Sequence, residues 1–329
     1  MKKIMIVVCI LVLSLLVACN ETSKEEKTSK NKNTTVREIK IEDAMGTQTI
    51  KGTPKNIVVL QWAYAEYLLA LGIQPAGVTD INGYKKFVNV DKKLAKSVKD
   101  VGTRTEPNLE AISRSKPDLI IAMESTHEKI LDNLKKIAPV VTFESSSNES
   151  IKNQYKNMLE DFKKVAKIVD KKEKAELAIS DLEEFIEDQR NRLTEAGLVG
   201  SKYIVSQAYS VQNSAVIRLF TDNSIVSQIM TRLGFENAYK PDKFKPNGFS
   251  KVTVEALQTF QNENLQFLYI VQDDDNVFEN QLKGNPVWEN LSFVKSGNTH
   301  RLPGDTWPFG GILSAYELTE QFVDAMLEK

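Results

Sequence analysis

Lys171–Ala196 reads KKEKAELAISDLEEFIEDQRNRLTEA. Ala175, Ala178, Ile179, Leu182, Phe185 and Ile186 fall on one helical stripe, and the opposite face is Lys, Glu and Asp. Neither Gly nor Pro interrupts the wider segment from Ser150 to Ala196. At ~1.5 Å per residue the second part makes a helix roughly 39 Å long, enough to cross a small domain. The stripe is too short for the sustained heptads of a coiled coil. This helix divides the chain, because the sequence on each side alternates between strand-like runs and helical patterns, the mark of an α/β protein.

Before it, Asn56–Leu60 (NIVVL) leads into a helical Ala63–Leu71 closed by Gly72, followed by PAGVT, a helical Asn108–Arg114, PDLIIAM, a helical Lys129–Ile137 and PVVTF. After it, KYIVSQA leads to a helical Ser224–Leu233 stopped by Gly234. A short helix over Val252–Phe260, LQFLYIV and HRL follow, and then the loop DTWPFGG. Ser314 and Glu317 have the S-x-x-E spacing of a capping box, with Leu318, Phe322, Val323, Met326 and Leu327 at helical spacing behind them. Trp307 is therefore held on a Pro- and Gly-broken loop ahead of the last helix.

The N-terminus carries an address. Lys2 and Lys3 precede an apolar run from Ile4 to Val17, too short for a good spanning helix, and LVAC ends it at Cys19. Small residues before that Cys resemble the bacterial lipobox, which implies cleavage before Cys19 and a lipid on its thiol. Cys9 lies inside the removed run, so the mature chain has no cysteine pair to oxidise. Asn20–Thr35 contains no apolar side chain and many charges, and reads as a flexible tether. The whole chain carries 43 Lys and Arg against 44 Asp and Glu. Loss of Lys2 and Lys3 leaves 41 against 44, a net charge of −3, which offers nothing to nucleic acid.

Several chemistries are excluded. There is no G-x-S-x-G elbow, P-loop or G-x-G-x-x-G. Two histidines, His127 and His300, cannot build a multi-imidazole metal site without mature cysteines. Asp273–Asp275 lacks the spaced ligands and turn glycine of a calcium loop and reads as a solvated turn. What recurs instead is aromatic and cationic residues in loops after strands. These are Trp62, Tyr84, Arg104 and His127 in the first half, and Tyr209, Arg218 and Trp307 in the second. Ligands of open α/β sheets bind beyond the carboxyl ends of strands. Aromatic walls with a few guanidinium groups suit a bulky ligand carrying anionic oxygens.

The stretches LQWAYAEYLLALGI, DINGYKKFVN, VGTRTEPNLEAISRSKPDLIIA, RLFTDNS, QLKGNPVWENL and DTWPFGGILSA resemble the lipid-anchored substrate-binding proteins of bacterial ABC importers for ferric siderophores, in the ferric hydroxamate and ferric citrate branch. The resemblance covers the chain from Val36 onward. It implies a class III substrate-binding protein: two α/β lobes bridged by a single long helix, little hinge motion, and the ligand between the lobes. The expected division is a signal peptide (1–18), anchor and tether (19–35), first lobe (36–170), bridging helix (171–197) and second lobe (198–329). The siderophore supplies the hard oxygen donors to Fe(III), so the protein needs no intrinsic cofactor or metal ligand of its own. Trp62, Arg104 and Trp307 match ligand-contacting positions. Tyr209 and Arg218 look similarly placed, and His127 falls where relatives often carry a different side chain. NLEAISRSKPDLIIA and TVEALQTFQNENLQFLYIV echo one another, each with a Glu early in a short helix. Glu110 and Glu255 match the pair of surface glutamates, one per lobe, that such proteins present to a permease dimer.

The expectation is therefore a monomeric receptor rather than an enzyme. It would be anchored through Cys19 to the outer face of the membrane of a Gram-positive bacterium, and would pass a ferric siderophore to an ABC permease. Other readings stay open at this stage. Haem or a cobalamin is another bulky chelate, and haem would need an axial ligand from His127 or a Tyr. A surface hydrolase would have only His127 and His300 as histidine bases, and an adhesin would need an exposed apolar patch outside the cleft.

Overall fold

The computed structural model describes residues 37–143, 151–262 and 264–328. The signal, anchor and tether, Cys19 included, lie outside the described residues. A two-stranded antiparallel hairpin, β1 (Glu38–Asp43) and β2 (Gly46–Lys51), opens the described chain. The first lobe is then built on β3 (Ile57–Val59), α1 (Trp62–Ala70), β4 (Gly77–Val78), α2 (Ile81–Phe87), β5 (Lys99–Asp100), α3 (Leu109–Arg114), β6 (Leu119–Met123), α4 (Glu124–His127), α5 (Leu131–Lys135) and β7 (Val140–Phe143). Its sheet is parallel throughout, in the order β5-β4-β3-β6-β7. Short all-apolar runs such as IVV and LIIAM are what a sheet covered on both faces requires. Alternation along β3 sends Ile57 and Val59 into one core and Val58 and Leu60 into the other.

One long helix bridges the lobes. α6 (Gln154–Ile168) precedes it, and between them Asp170 sits in the left-handed region at φ 59° before the bridging helix, α7 (Lys172–Glu195), begins. The break lets Lys171 N–H bond back to the Ala166 carbonyl and turns the chain between the two helices. Ala175, Leu182, Ile186 and Leu193 of α7 are buried, the apolar stripe turned inward.

The second lobe comprises β8 (Lys202–Val211), β9 (Ser214–Phe220), α8 (Ile225–Arg232), β10 (Glu236–Asn237), β11 (Phe249–Val252), β12 (Gln266–Ile270), α9 (Val277–Asn280), α10 (Pro286–Glu289), α11 (Ser292–Lys295), β13 (Thr299–Leu302) and α12 (Ile312–Leu327). The sheet runs β11-β9-β8-β12-β13, with β10 pairing β8. β8, β12 and β13 are parallel, whereas β9 is antiparallel to both β8 and β11. The β8–β9 hairpin alters one expectation: Tyr209 and Arg218 stand on adjacent antiparallel strands, not on loops after them. Tyr84 likewise sits on a helix, α2, whose N-cap Asp80 accepts a bond from Gly83 N–H. Val254–Thr259 forms a 3-10 helix after β11, in place of the helix expected from Val252.

α12 returns to pack on α7 and on α1 of the first lobe, joining both lobes in one apolar core. The Ser314–Glu317 capping box does not form. The helix starts earlier, at Ile312, with Gly311 as an N-cap that has no side chain to offer. Ser314 is thus already inside the first turn, where its hydroxyl faces a carboxylate from α1.

Candidate ligand-binding site

β3 delivers Trp62 to the first position of α1, facing the second lobe. Its indole N–H donates to the Thr79 carbonyl at 3.0 Å, which fixes the ring. Tyr84 meets it edge-on, ring centroids 6.1 Å apart, and Phe87 stacks at 6.3 Å. From the second lobe the loop before α12 lays Trp307 against Trp62 at 4.9 Å, and Phe309 follows at 5.4 Å from Trp307. Phe249, on β11, continues the aromatic surface at 5.8 Å from Phe309. Quadrupolar rings pack favourably in such tilted and edge-on pairs.

Two guanidinium groups lie on this surface. The turn Gly102–Pro107 is pinned by Thr103 and Glu106, and it projects Arg104 over Trp62 with its carbon 3.9 Å from the ring and 5.4 Å from Trp307. Partial burial lowers the Arg104 pKa from its ordinary value, and the Asp80 carboxylate opposes that. On the other wall Arg218 lies between Tyr209, at 4.9 Å, and Phe249, at 4.6 Å. Its Nη1 donates to the Gln207 Oε1 at 2.9 Å, but its buried Nε has no hydrogen-bond partner. Neither guanidinium takes part in a salt bridge among the described residues. Stacked, partly dehydrated and outside any of these salt bridges, both are available to an anion.

His127 reaches this region from beneath. It is buried, with Nε2 2.9 Å from the Arg104 carbonyl and Nδ1 3.0 Å from Met123 N. The tautomer protonated on Nε2 satisfies both, donating to Arg104 and accepting from Met123. Burial lowers its pKa, and its backbone hydrogen bonds with Arg104 and Met123 oppose that. The ring thus supports the turn that carries Arg104. Tyr84 is buried too, its hydroxyl unpartnered and its pKa raised by desolvation.

Two cavities adjoin this surface, one through Phe249 and Phe309 and the other through Phe87 and Arg218. A cavity of about 310 Å³ runs between Tyr64, Met123 and Asp161 of one side and Phe249, Phe309 and Asn247 of the other. A second, of about 550 Å³, lies between Phe87 and Lys86 of the first lobe and Tyr209, Arg218 and Gln272 of the second. Across the mouth Lys86 pairs with Asp274 at 3.4 Å, and Asn89 N–H donates to the Asp305 carbonyl at 3.1 Å. Glu110 is highly exposed, pairing with Arg114 at 3.4 Å, and Glu255 is exposed, its pKa lowered by a hydrogen bond from Thr253. Phe87, Phe249, Phe309 and Lys86 join the residues expected at the site. Lys86 and Phe87 lie inside the stretch DINGYKKFVN and Phe309 inside DTWPFGG, whereas Phe249 comes into reach only through the pairing of strands and lobes.

A family model described as periplasmic binding protein matches residues 57–306. The chain is 33% identical to the Fe(3+)-citrate-binding protein YfmC of Bacillus subtilis, over 95% of this chain and 94% of that protein. It is 29% identical to the iron(3+)-hydroxamate-binding protein FhuD of Escherichia coli, over 80% of this chain and 83% of the relative. Among solved structures, the Fe3+-Desferal-bound siderophore-binding protein FhuD of Vibrio cholerae superposes with a TM-score of 0.74 at 27% identity, covering 83% of this chain and 98% of that one.

Proposed function

The chain belongs to the periplasmic binding protein family, and from that premise we propose that it binds a ferric siderophore between its two lobes and delivers it to an ABC permease for iron uptake. It is a transport receptor rather than an enzyme. The observation that carries the ligand class is the pair of guanidinium groups, Arg104 and Arg218, on opposite walls of an aromatic cleft, with no salt-bridge partner among the described residues. A chelate whose periphery carries carboxylate or other anionic oxygens would take paired donors from the guanidinium groups and stack on Trp307 and Tyr209. The iron would be held by the chelate's own oxygens, with the protein gripping the outside.

Arg104, Tyr209, Arg218 and Trp307 are the contact residues in this reading, with Trp62, buried beneath Arg104, backing that guanidinium. Tyr84 and His127 act from below, Tyr84 bracing Trp62 and His127 the Arg104 turn. Glu110 and Glu255 dock the two lobes on a permease dimer, a role that suits their exposure and their placement on different lobes. Cys19 carries the lipid that keeps this monomeric receptor on the outer face of the cell membrane.

The test is titration of the mature chain with ferric citrate, a ferric trihydroxamate and haem, followed by tryptophan fluorescence and by absorbance. Saturable quenching by an iron chelate supports the proposal. A Soret band from haem without a response to any ferric chelate replaces it with the haem reading.

A further inference from the structure

The segment around Glu66, AYAEYLLAL, is apolar on every side of its helix, yet its one acid is fully buried. A buried carboxylate is tolerated only when its oxygens are paired. The partners of Glu66 all come from the other lobe. Oε2 accepts from Gly311 N–H at 2.9 Å and from Ser314 N–H at 2.8 Å, and Oε1 accepts from the Ser314 hydroxyl at 2.9 Å. Two of these donors are the N-cap and first-turn amides of α12, which has no capping side chain of its own. The carboxylate therefore does from α1 what an N-cap residue does locally, and it faces the positive end of a helix dipole.

The approach is so close that only glycine fits opposite. A Cβ at Gly310 would lie 2.6 Å from Glu66 Oε1, and one at Gly311 would lie 3.0 Å from the Ala63 carbonyl and 3.1 Å from the Glu66 Cβ. Both ends of this clamp lead straight to the ligand site. Glu66 sits one helical turn after Trp62 on α1, and the Gly310–Gly311 pair directly follows the Trp307–Phe309 loop. We infer that Glu66 is the positioning residue of the ligand site: by capping α12 from α1 it sets the register of the two lobes, and so the contact of Trp307 with Trp62 beneath Arg104. It touches no ligand. The claim about ligand affinity rests on the proposed function, whereas the claim about register does not.

Two measurements separate them. Amide hydrogen exchange in the ligand-free protein reads the clamp directly. Glu66→Gln places an amide N–H₂ against the donors it should accept from. Gly311 and Ser314 should then exchange at least roughly tenfold faster, while the later turns of α12 stay protected. Unchanged exchange at these two amides overturns the inference. Ser314→Ala removes one donor without touching the carboxylate and should speed exchange at Gly311 less, which provides a reading if the Gln variant folds poorly.

Titration with ferric citrate then reads the consequence. Kd should rise by roughly tenfold or more in Glu66→Gln, with the fall in thermal midpoint common to both liganded and free protein. The Glu66→Gln/Trp307→Ala double variant should bind no more weakly than Trp307→Ala alone, because the clamp acts through that ring. Fully additive losses would show Glu66 to be merely structural. Failure of the wild-type chain to bind any ferric chelate would instead sink the proposed function, leaving the exchange result to decide the register.

Discussion

Replacing Arg104 with Ala removes the group on which the ligand proposal leans most. The guanidinium carbon lies 3.9 Å from the Trp62 ring and 5.4 Å from Trp307, so the side chain is held in place before any ligand arrives. A preorganised donor loses little further entropy on binding, and its partial burial weakens competition from water. Loss of one charge-assisted hydrogen bond costs ~1.5–3 kcal/mol, which corresponds to a rise in Kd of roughly 10- to 150-fold. Arg104→Lys keeps a charge but not the flat stacking surface or the paired donors, so its loss should be intermediate. Tryptophan quenching at fixed ionic strength measures this, because Trp62 and Trp307 flank the substitution. The loss should be largest for a carboxylate-bearing anionic chelate such as ferric citrate, and small for a ferric trihydroxamate without net negative charge. Equal affinities of wild type and Arg104→Ala for ferric citrate would refute the reasoning and return Arg104 to a packing role. So would an equal loss for both chelates.

Glu110→Arg combined with Glu255→Arg should leave chelate binding intact and abolish iron uptake by cells, and persistent uptake would contradict docking through these two acids. Cys19→Ala should shift the protein out of the membrane fraction; retention there would mean another anchor. Asp161 and Glu66 are each pushed up to about 7 by burial, from 3.8 and 4.5. A raised folded-state pKa favours the protonated form, so this contribution to stability is fully present below the unfolded value and is lost as pH rises through about 7. For Asp161 the cost above that window is on the order of 4 kcal/mol. Asp161→Asn removes the ionisation, so its stability advantage in urea unfolding should grow from pH 4 to pH 7 (roughly the titration window) and then level off. An equal difference at pH 4.5 and pH 8 (about the two ends) would show that Asp161 does not titrate there.

The alternation of strands and helices about one long helix was legible because each signal is local. A both-face-buried parallel strand needs an uninterrupted apolar run, as in IVV, and an interlobe helix needs a stripe, as in Ala175–Ile186. The β1–β2 hairpin left no comparable mark, since EIKIED and GTQTIK are largely polar and half exposed. Tyr209 and Arg218 read as loop residues because the β9 register, in which Gln207 faces Arg218, depends on pairing with a neighbouring strand.

The candidate site divides along the same line. Trp62, Arg104 and Trp307 could be picked out as aromatic and cationic residues near strand ends, because residue type and local punctuation carry that information. That Arg104 stacks on Trp62, that Trp307 completes the surface, and that His127 serves the Arg104 backbone instead of facing the cleft are facts of distance between segments far apart in the chain. Ser314 shows the limit most clearly. Its spacing to Glu317 announced a local cap, yet the start of α12 is held by Glu66, 248 positions away. A capping motif reports only what neighbouring residues can offer each other. Which of two competing acceptors the helix takes is decided when α1 is packed against it, since a buried carboxylate must find donors and the open end of a glycine-capped helix has them to give.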